Sequence, residues 1–240
     1  MPSGSLRDYH SKRDFKLTAE PKGVVGKRKA KGLRYLIQKH DASRLHYDFR
    51  LEWNGTLLSW AVPKGPSENP DDKRLAVHVE DHPIAYGDFE GTIPKGQYGG
   101  GTVMLWDTGT WEPHEPDVDA ALKKGKLAFT LHGERLKGNW AFVRLRARSP
   151  KDKDNWLLIK EHDEYERKTG KLMVERETSS VTSGRAMDQI AAGKAVWQSK
   201  PRNGRGGSSA DVEEIIARPV SRRQPAAQKK SLKFSQASGR

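Results

Sequence analysis

The sequence predicts an all-β domain of antiparallel strands, a barrel or a sandwich, with only minor helices. Three observations carry that prediction. Residues 44–53 alternate without a fault: Leu45, Tyr47, Phe49, Leu51 and Trp53 fall on one side, Arg44, His46, Asp48, Arg50 and Glu52 on the other. Period two over this length marks a half-buried strand. Asn54-Gly55 follows, the strongest short hairpin signal, and leads into residues 56–62. Further short strand-like segments then recur at close spacing with few helical patterns between them.

A two-residue turn fixes the register of this hairpin. Phe49 should face Trp60, Leu51 face Leu58 and Tyr47 face Val62, giving one apolar face. On the other face Asp48 lies opposite Ala61 and Arg50 opposite Ser59, so small residues leave room above a His/Asp/Arg row. His40 precedes that row, and His46 and Asp48 project in parallel, roughly 6–7 Å apart along the strand. His40, His46 and Asp48 are therefore a candidate metal triad of mixed nitrogen and oxygen ligands, with Arg50 next in line to hold an anion. The rival reading is an ordinary solvated outer face.

The remaining elements follow in order. Residues 1–33 read as a weakly ordered segment, with the charge run 27–31 as a linker. Residues 35–39 read as a strand, and 40–43 connect it to the hairpin. Pro63-Lys64-Gly65-Pro66-Ser67 is a rigid loop. Residues 74–80 alternate again, with Leu75, Val77 and Val79 on one side and Arg74, Ala76, His78 and Glu80 on the other; His78 reads as a solvated strand residue. His82 precedes a proline and is biased to extended geometry. The glycines of 96–101 lack the Gly-Lys-Ser/Thr ending of a phosphate loop, and a strand at 103–106 follows them rather than a helix. Residues 117–124, closed by Gly125, read as a short helix, and 126–132, 140–146 and 155–160 as strands. Beyond about residue 168 the strand pattern stops. Residues 187–192 suit a turn or two of helix, and 211–217 have helical spacing ended by Pro219. The rest of the tail is rich in Gly, Ser, Gln, Arg and Lys and reads as disordered.

The chain has 240 residues, no cysteine and a net charge of +13. Disulfide frameworks and thiolate metal sites are thereby excluded. The N-terminus lacks the apolar core of a signal peptide and no stretch approaches a membrane span, so the expectation is a cytoplasmic, nucleoid-associated protein. The charge is unevenly spread. Residues 1–33 hold nine Lys/Arg against three Asp/Glu, residues 34–168 hold 21 against 22, and residues 194–240 hold 11 against three. Basic ends on a neutral middle suit phosphate attraction by counterion release.

The run 38–52 (QKHDASRLHYDFRLE) closely resembles the 3′-phosphoesterase domain of bacterial DNA ligase D. So do 60–67 (WAVPKGPS), 78–83 (HVEDHP) and 89–94 (FEGTIP) continuing to Gly101. The resemblance covers roughly residues 10–168. It implies a β-barrel at 34–168 with its active site on the outer surface, a basic N-terminal segment (1–33) partly contributing to that site, and a linker and basic tail (169–240). It implies manganese, or another divalent transition metal, on His40, His46 and Asp48. By the same resemblance Arg50, Lys64 and Arg74 grip phosphate, His82 and Tyr86 are further essential positions, and Arg13, Asp14, Glu20 and Gln38 form an outer set positioning the strand end. The implied activity removes a 3′-terminal ribonucleoside and then the remaining 3′-phosphate from DNA ends, with His82 as candidate general acid. The partners implied by the resemblance are DNA 3′ ends, a separate ATP-dependent DNA ligase and Ku; the departure from the fused ligases is that only a basic tail is read after this domain.

Each assignment has a rival. Lys64 on its loop also reads as a plain surface lysine, Arg74 as the cap of a barrel rim and Tyr86 as core. His10, His114, His132 and His162 stand alone and receive no role. The whole chain could instead be a non-catalytic DNA-end-binding or scaffold module of an end-joining system.

Overall fold

The computed structural model describes residues 5–12, 23–26, 32–94, 98–147 and 154–193. Ten strands run through them: β1 (Leu33–Asp41), β2 (Leu45–Trp53), β3 (Thr56–Val62), β4 (Lys73–His78), β5 (His82–Pro83), β6 (Gly91–Ile93), β7 (Gly101–Pro113), β8 (Lys126–Gly133), β9 (Lys137–Arg144) and β10 (Asn155–Lys160). Helical segments are short: α1 (Arg7–Ser11), a 3-10 turn (Ile84–Asp88), α2 (Val118–Lys124), α3 (Met173–Arg176) and α4 (Met187–Ala191). No helix among the described residues is long and apolar enough to cross a membrane.

All strand pairings are antiparallel. The order β1-β2-β3-β4-β10-β9-β8-β7 returns to β1 through a β1–β7 pairing, closing eight strands into a barrel, with β5 and β6 added beside β3 and β7. Closure leaves none of these eight strands with an open edge. The β2–β3 hairpin has the predicted register, with Phe49 opposite Trp60, Arg50 opposite Ser59 and Asp48 opposite Ala61. Its turn holds Asn54 and Gly55 at φ 47° and 79°, which these two residues tolerate at little cost.

The barrel interior is aromatic. Trp60 stacks on Phe142 at 4.2 Å between centroids, and Phe49 meets Phe142 edge-on at 5.2 Å. Cations close the inner layer: Arg144 lies 4.6 Å from the Trp156 ring, Arg135 5.2 Å from Trp106 and Lys160 5.6 Å from Trp140. Truncating one of these buried rings to alanine costs about 3–5 kcal/mol. The predicted short helix is α2, with the Asp117 side chain accepting from the Ala120 N–H and Gly125 at φ 86° ending it.

Three features differ from the sequence expectation. The strand expected at 103–106 is part of the first half of a 13-residue β7, whose pairing with β1 shifts register between Ile37 and Gln38. β4 presents its polar side to the barrel interior: Arg74 pairs with Leu158, Ala76 with Trp156 and His78 with Trp60, all three partners being core residues. His78 accordingly lies 5.0 Å from the Trp60 ring, with Nδ1 3.1 Å from Asp154, rather than facing solvent. Packing also extends beyond 34–168. Tyr9 of α1 is fully buried, and Ile190 of α4, in the helical turn expected at 187–192, joins the barrel core. Residues 194–240, with the helix expected at 211–217, lie outside the described residues.

Candidate functional site

The polar row of β2 points outward from the barrel, opposite Phe49 and Leu51, and meets the outward row of β1. His40 pairs directly with His46, and Gln38 with Asp48. The three candidate ligands therefore converge by register alone. The His40 and His46 rings are 4.7 Å apart, His40 Nδ1 is 3.6 Å from Asp48 Oδ2, and His46 Nε2 is 3.7 Å from Asp48 Oδ1. One ligand atom from each residue lies within 4.8 Å of the others.

The far nitrogens of both rings fix the tautomers. His46 Nδ1 lies 2.9 Å from the Arg44 carbonyl and His40 Nε2 lies 3.0 Å from the Gly99 carbonyl. A carbonyl only accepts, so each of these nitrogens donates. The lone pairs are left on His46 Nε2 and His40 Nδ1, the two atoms that face Asp48. Histidines that hold metals are oriented by backbone carbonyls in this way. The donor set of two imidazoles and a carboxylate suits a borderline transition ion better than magnesium. The three residues thus fit a metal ion.

Electrostatics favour the ligating forms. Burial works to raise the Asp48 carboxyl, but the Arg50 guanidinium beside it, the largest opposing influence, holds the group far below the usual carboxylate range. Burial pushes His46 below its ordinary 6.5, against the weaker pull of Asp48, so the neutral ring is favoured.

Arg50 is only 2% exposed. Its Nη2 donates to Asp48 Oδ2 at 3.1 Å, its Nη1 to Ser59 Oγ at 2.8 Å and its Nε to Gln38 Oε1 at 2.9 Å. Gln38 is held in turn, its Nε2 donating to the carbonyls of Tyr86 and Phe89 at 3.1 and 3.0 Å. The guanidinium lies 5.0 Å from the Tyr86 ring, and Tyr86 lies 4.7 Å from His82. His82, paired through β5 with Leu57, donates Nδ1–H to the Glu80 carbonyl at 2.8 Å, with Ser59 Oγ 3.5 Å away. Hydrogen bonds therefore run from Asp48 through Arg50 to Ser59, and His82 Nδ1 lies 3.5 Å beyond that hydroxyl.

Of the sequence-predicted residues, the structure brings together His40, His46, Asp48, Arg50, Gln38, His82 and Tyr86. Lys64 is exposed on the turn after β3. Arg74 points to the inner face at the barrel rim, its Nη2 2.9 Å from Asp72, on the opposite side of the sheet from Asp48. Arg13, Asp14 and Glu20 lie outside the described residues.

Sequence reasoning missed three contributors. Ser59 appeared only as a small neighbour of Arg50, although its hydroxyl was a signal. Gly99 acts through its carbonyl, which no side chain advertises. Tyr9 packs edge-on against His82 at 5.5 Å, bringing α1 over the site. A related cluster joins α1 to the loop before β7: Lys12 Nζ and Tyr98 Oη both donate to Glu80 Oε2 at 3.1 Å.

A closed antiparallel barrel that carries a His/His/Asp cluster on its outer wall, backed by a buried arginine, defines a scaffold that fits a metal ion. Residues 38–144 match, and belong to, the DNA Ligase D 3′-phosphoesterase domain family. The chain is 47% identical over 221 residues to the multifunctional non-homologous end joining protein LigD of Pseudomonas aeruginosa, covering 90% of this chain and 26% of that protein. It is 40% identical over 164 residues to the protein of that name from Mycolicibacterium smegmatis, covering 66% and 21% respectively. It is 41% identical over 152 residues to the multifunctional non-homologous end joining DNA repair protein LigD of Mycobacterium tuberculosis, covering 63% and 19%. The chain spans about a quarter or less of the length of these relatives.

Proposed function

We propose that this chain is a metal-dependent phosphoesterase of DNA repair that heals 3′ ends, removing 3′-phosphates and 3′-terminal ribonucleosides before gap filling or ligation. The observation that carries the reading is the convergence of His40 Nδ1, His46 Nε2 and the Asp48 carboxylate, each ring turned by a backbone carbonyl. Membership of a 3′-phosphoesterase domain family and relatives named for end joining and DNA repair support it.

These three residues would hold the ion, manganese foremost. Once bound, it would draw charge from a phosphoryl oxygen and lower the pKa of water. The remaining work falls to the chain's own groups. Among the described residues Arg50 uses one N–H on each of Nη1 and Nη2, so each keeps a second hydrogen to offer an anion. Its charge opposes that of the phosphoryl oxygens as the bond to the leaving oxygen breaks. His82 has Nδ1 committed as a donor, which makes Nε2 the nitrogen that exchanges a proton. In the phosphomonoester step water attacks phosphorus, the bond from phosphorus to the 3′-oxygen breaks, and His82 Nε2–H protonates that oxygen. In the preceding diester step the terminal nucleoside leaves by its 5′-oxygen and the strand keeps a 3′-phosphate. On the family resemblance Lys64 and Arg74 keep their assignment to the substrate phosphate and Arg13, Asp14, Glu20 and Gln38 theirs to positioning the strand end, with Tyr86 holding the Arg50 and His82 planes.

The substrate class is a DNA 3′ end, including one with a terminal ribonucleotide. The partners are an ATP-dependent DNA ligase and Ku, and the site of action is the nucleoid in the cytoplasm. The test is a 3′-phosphate primer–template incubated with and without manganese. Manganese-dependent release of inorganic phosphate is expected. Binding of the 3′-phosphate end by fully metallated protein with no release would establish the end-binding module instead.

A further inference from the structure

We propose that Ser59 is a positioning residue that couples the metal triad to the proton donor. The inference rests on the phosphoesterase reading above. Ser59 is fully buried on β3, directly opposite Arg50. Its hydroxyl donates to the Leu57 carbonyl at 2.9 Å, and that bond fixes where its lone pairs point. One lone pair accepts Arg50 Nη1–H at 2.8 Å, and His82 Nδ1 lies 3.5 Å from the same oxygen. Ser59 thus offers a polar atom near both the arginine bound to Asp48 and the histidine assigned to the leaving oxygen, beside the Tyr86 ring that packs on both. Leu57, whose carbonyl anchors the hydroxyl, is also the strand partner of His82, so hydroxyl and imidazole are registered from one stretch of β3.

The buried guanidinium has three protein acceptors, on Gln38, Ser59 and Asp48. Removing the Ser59 oxygen leaves Nη1–H without that partner in a buried layer, and the plane of Arg50 can tilt toward Asp48. The triad keeps all three ligands, so its hold on an ion is unaffected. The distance between Arg50 and His82 is what changes, and only the reacting state needs both together.

The experiment compares wild type with Ser59→Ala and Ser59→Thr in the full chain. Phosphate release from a 3′-phosphate primer–template, KM for that primer, manganese affinity by titration and thermal unfolding are all measured. For Ser59→Ala we expect kcat to fall by roughly 10- to 100-fold, the cost of one buried contact, with KM and manganese affinity within about two-fold. Ser59→Thr keeps the oxygen and is expected to recover most of kcat. An Ser59→Ala protein with wild-type kcat overturns the proposal, as does a parallel loss of manganese affinity, which would mean that Ser59 acts through the triad. If Ser59→Ala fails to fold, Ser59→Thr decides: a folded, manganese-binding threonine variant as inactive as an Arg50→Ala protein overturns the coupling. Absence of phosphate release from wild type itself would strike the phosphoesterase reading rather than Ser59.

Discussion

Arg50 and Asp48 stand two residues apart on the same face of β2, joined by an Nη2–Oδ2 bond of 3.1 Å and both nearly closed to solvent. The arginine proposed to offer N–H groups to an anion is therefore also what keeps the Asp48 carboxylate ionised. Mutating either residue disturbs two functions at once, and the variants have to be chosen to separate them.

Arg50→Ala should abolish phosphate release and also destabilise the fold by about 2–4 kcal/mol, since it strips a partner from Asp48, Gln38 and Ser59 in a buried layer. Arg50→Lys should restore much of the melting temperature and little of the activity, because one ammonium cannot serve three acceptors and an anion with a planar fork. Thermal unfolding beside single-turnover release separates the two effects. A fully active lysine variant would remove the planar contact from the mechanism.

His46→Ala and His40→Ala should each lower manganese affinity by at least about ten-fold while leaving the far-ultraviolet circular dichroism spectrum unchanged, because both rings sit on the outer wall and outside the aromatic core. Electron paramagnetic resonance of free manganese gives the affinity directly. Undiminished binding by His46→Ala would strike His46 from the ligand set.

The same site carries a pH dependence. His46 is held below its ordinary 6.5 when folded, so the unfolded chain takes up the proton first. Stability contributed by the neutral ring is present above 6.5 and is lost as pH falls from there through the folded value. Manganese binding requires the neutral ring as well, so affinity should drop only once pH falls through that lowered folded value, and protons should be released on binding there and below it. Calorimetry in buffers of different ionisation enthalpy measures that release. In a His46→Gln protein the acid window should narrow.

Much of this site could be read from the chain because its geometry is local. Asn54-Gly55 fixes the hairpin register, and period two then sets His46, Asp48 and Arg50 on one face opposite Ala61 and Ser59. What escaped depends on distant partners. Leu75 and Val77 look like the buried side of β4, yet Ala76, between Arg74 and His78, faces the barrel, because Trp156 and Trp60 on the neighbouring strands supply the bulk there. The wedge of Tyr9 against His82 and the entry of Ile190 into the core have no periodic signature, since each is a single anchoring side chain on a helix of five residues.

Those anchors lead to the last prediction, which concerns where the folded unit ends. Past residue 168 the chain still makes specific contacts. Arg176 Nη2 lies 3.1 Å from Glu68, Trp106 Nε1 donates to the Glu177 carbonyl at 2.8 Å, Val181 N–H donates to the Leu105 carbonyl at 3.0 Å, and Arg185 Nη2 lies 3.0 Å from Glu90. Ile190 then buries 99% of its surface in the barrel core, being 1% exposed. Truncation after residue 168 should therefore lower the melting temperature sharply, and Ile190→Ala alone should cost about 2–5 kcal/mol. Truncation after residue 193 removes 11 Lys/Arg against three Asp/Glu and none of these contacts. It should leave the melting temperature and kcat near wild type while weakening DNA binding and flattening its salt dependence. Melting curves and salt titrations on the two truncations make the comparison. A truncation at 168 as stable as one at 193 would show that the segment carrying α3 and α4 adds nothing to the barrel's stability.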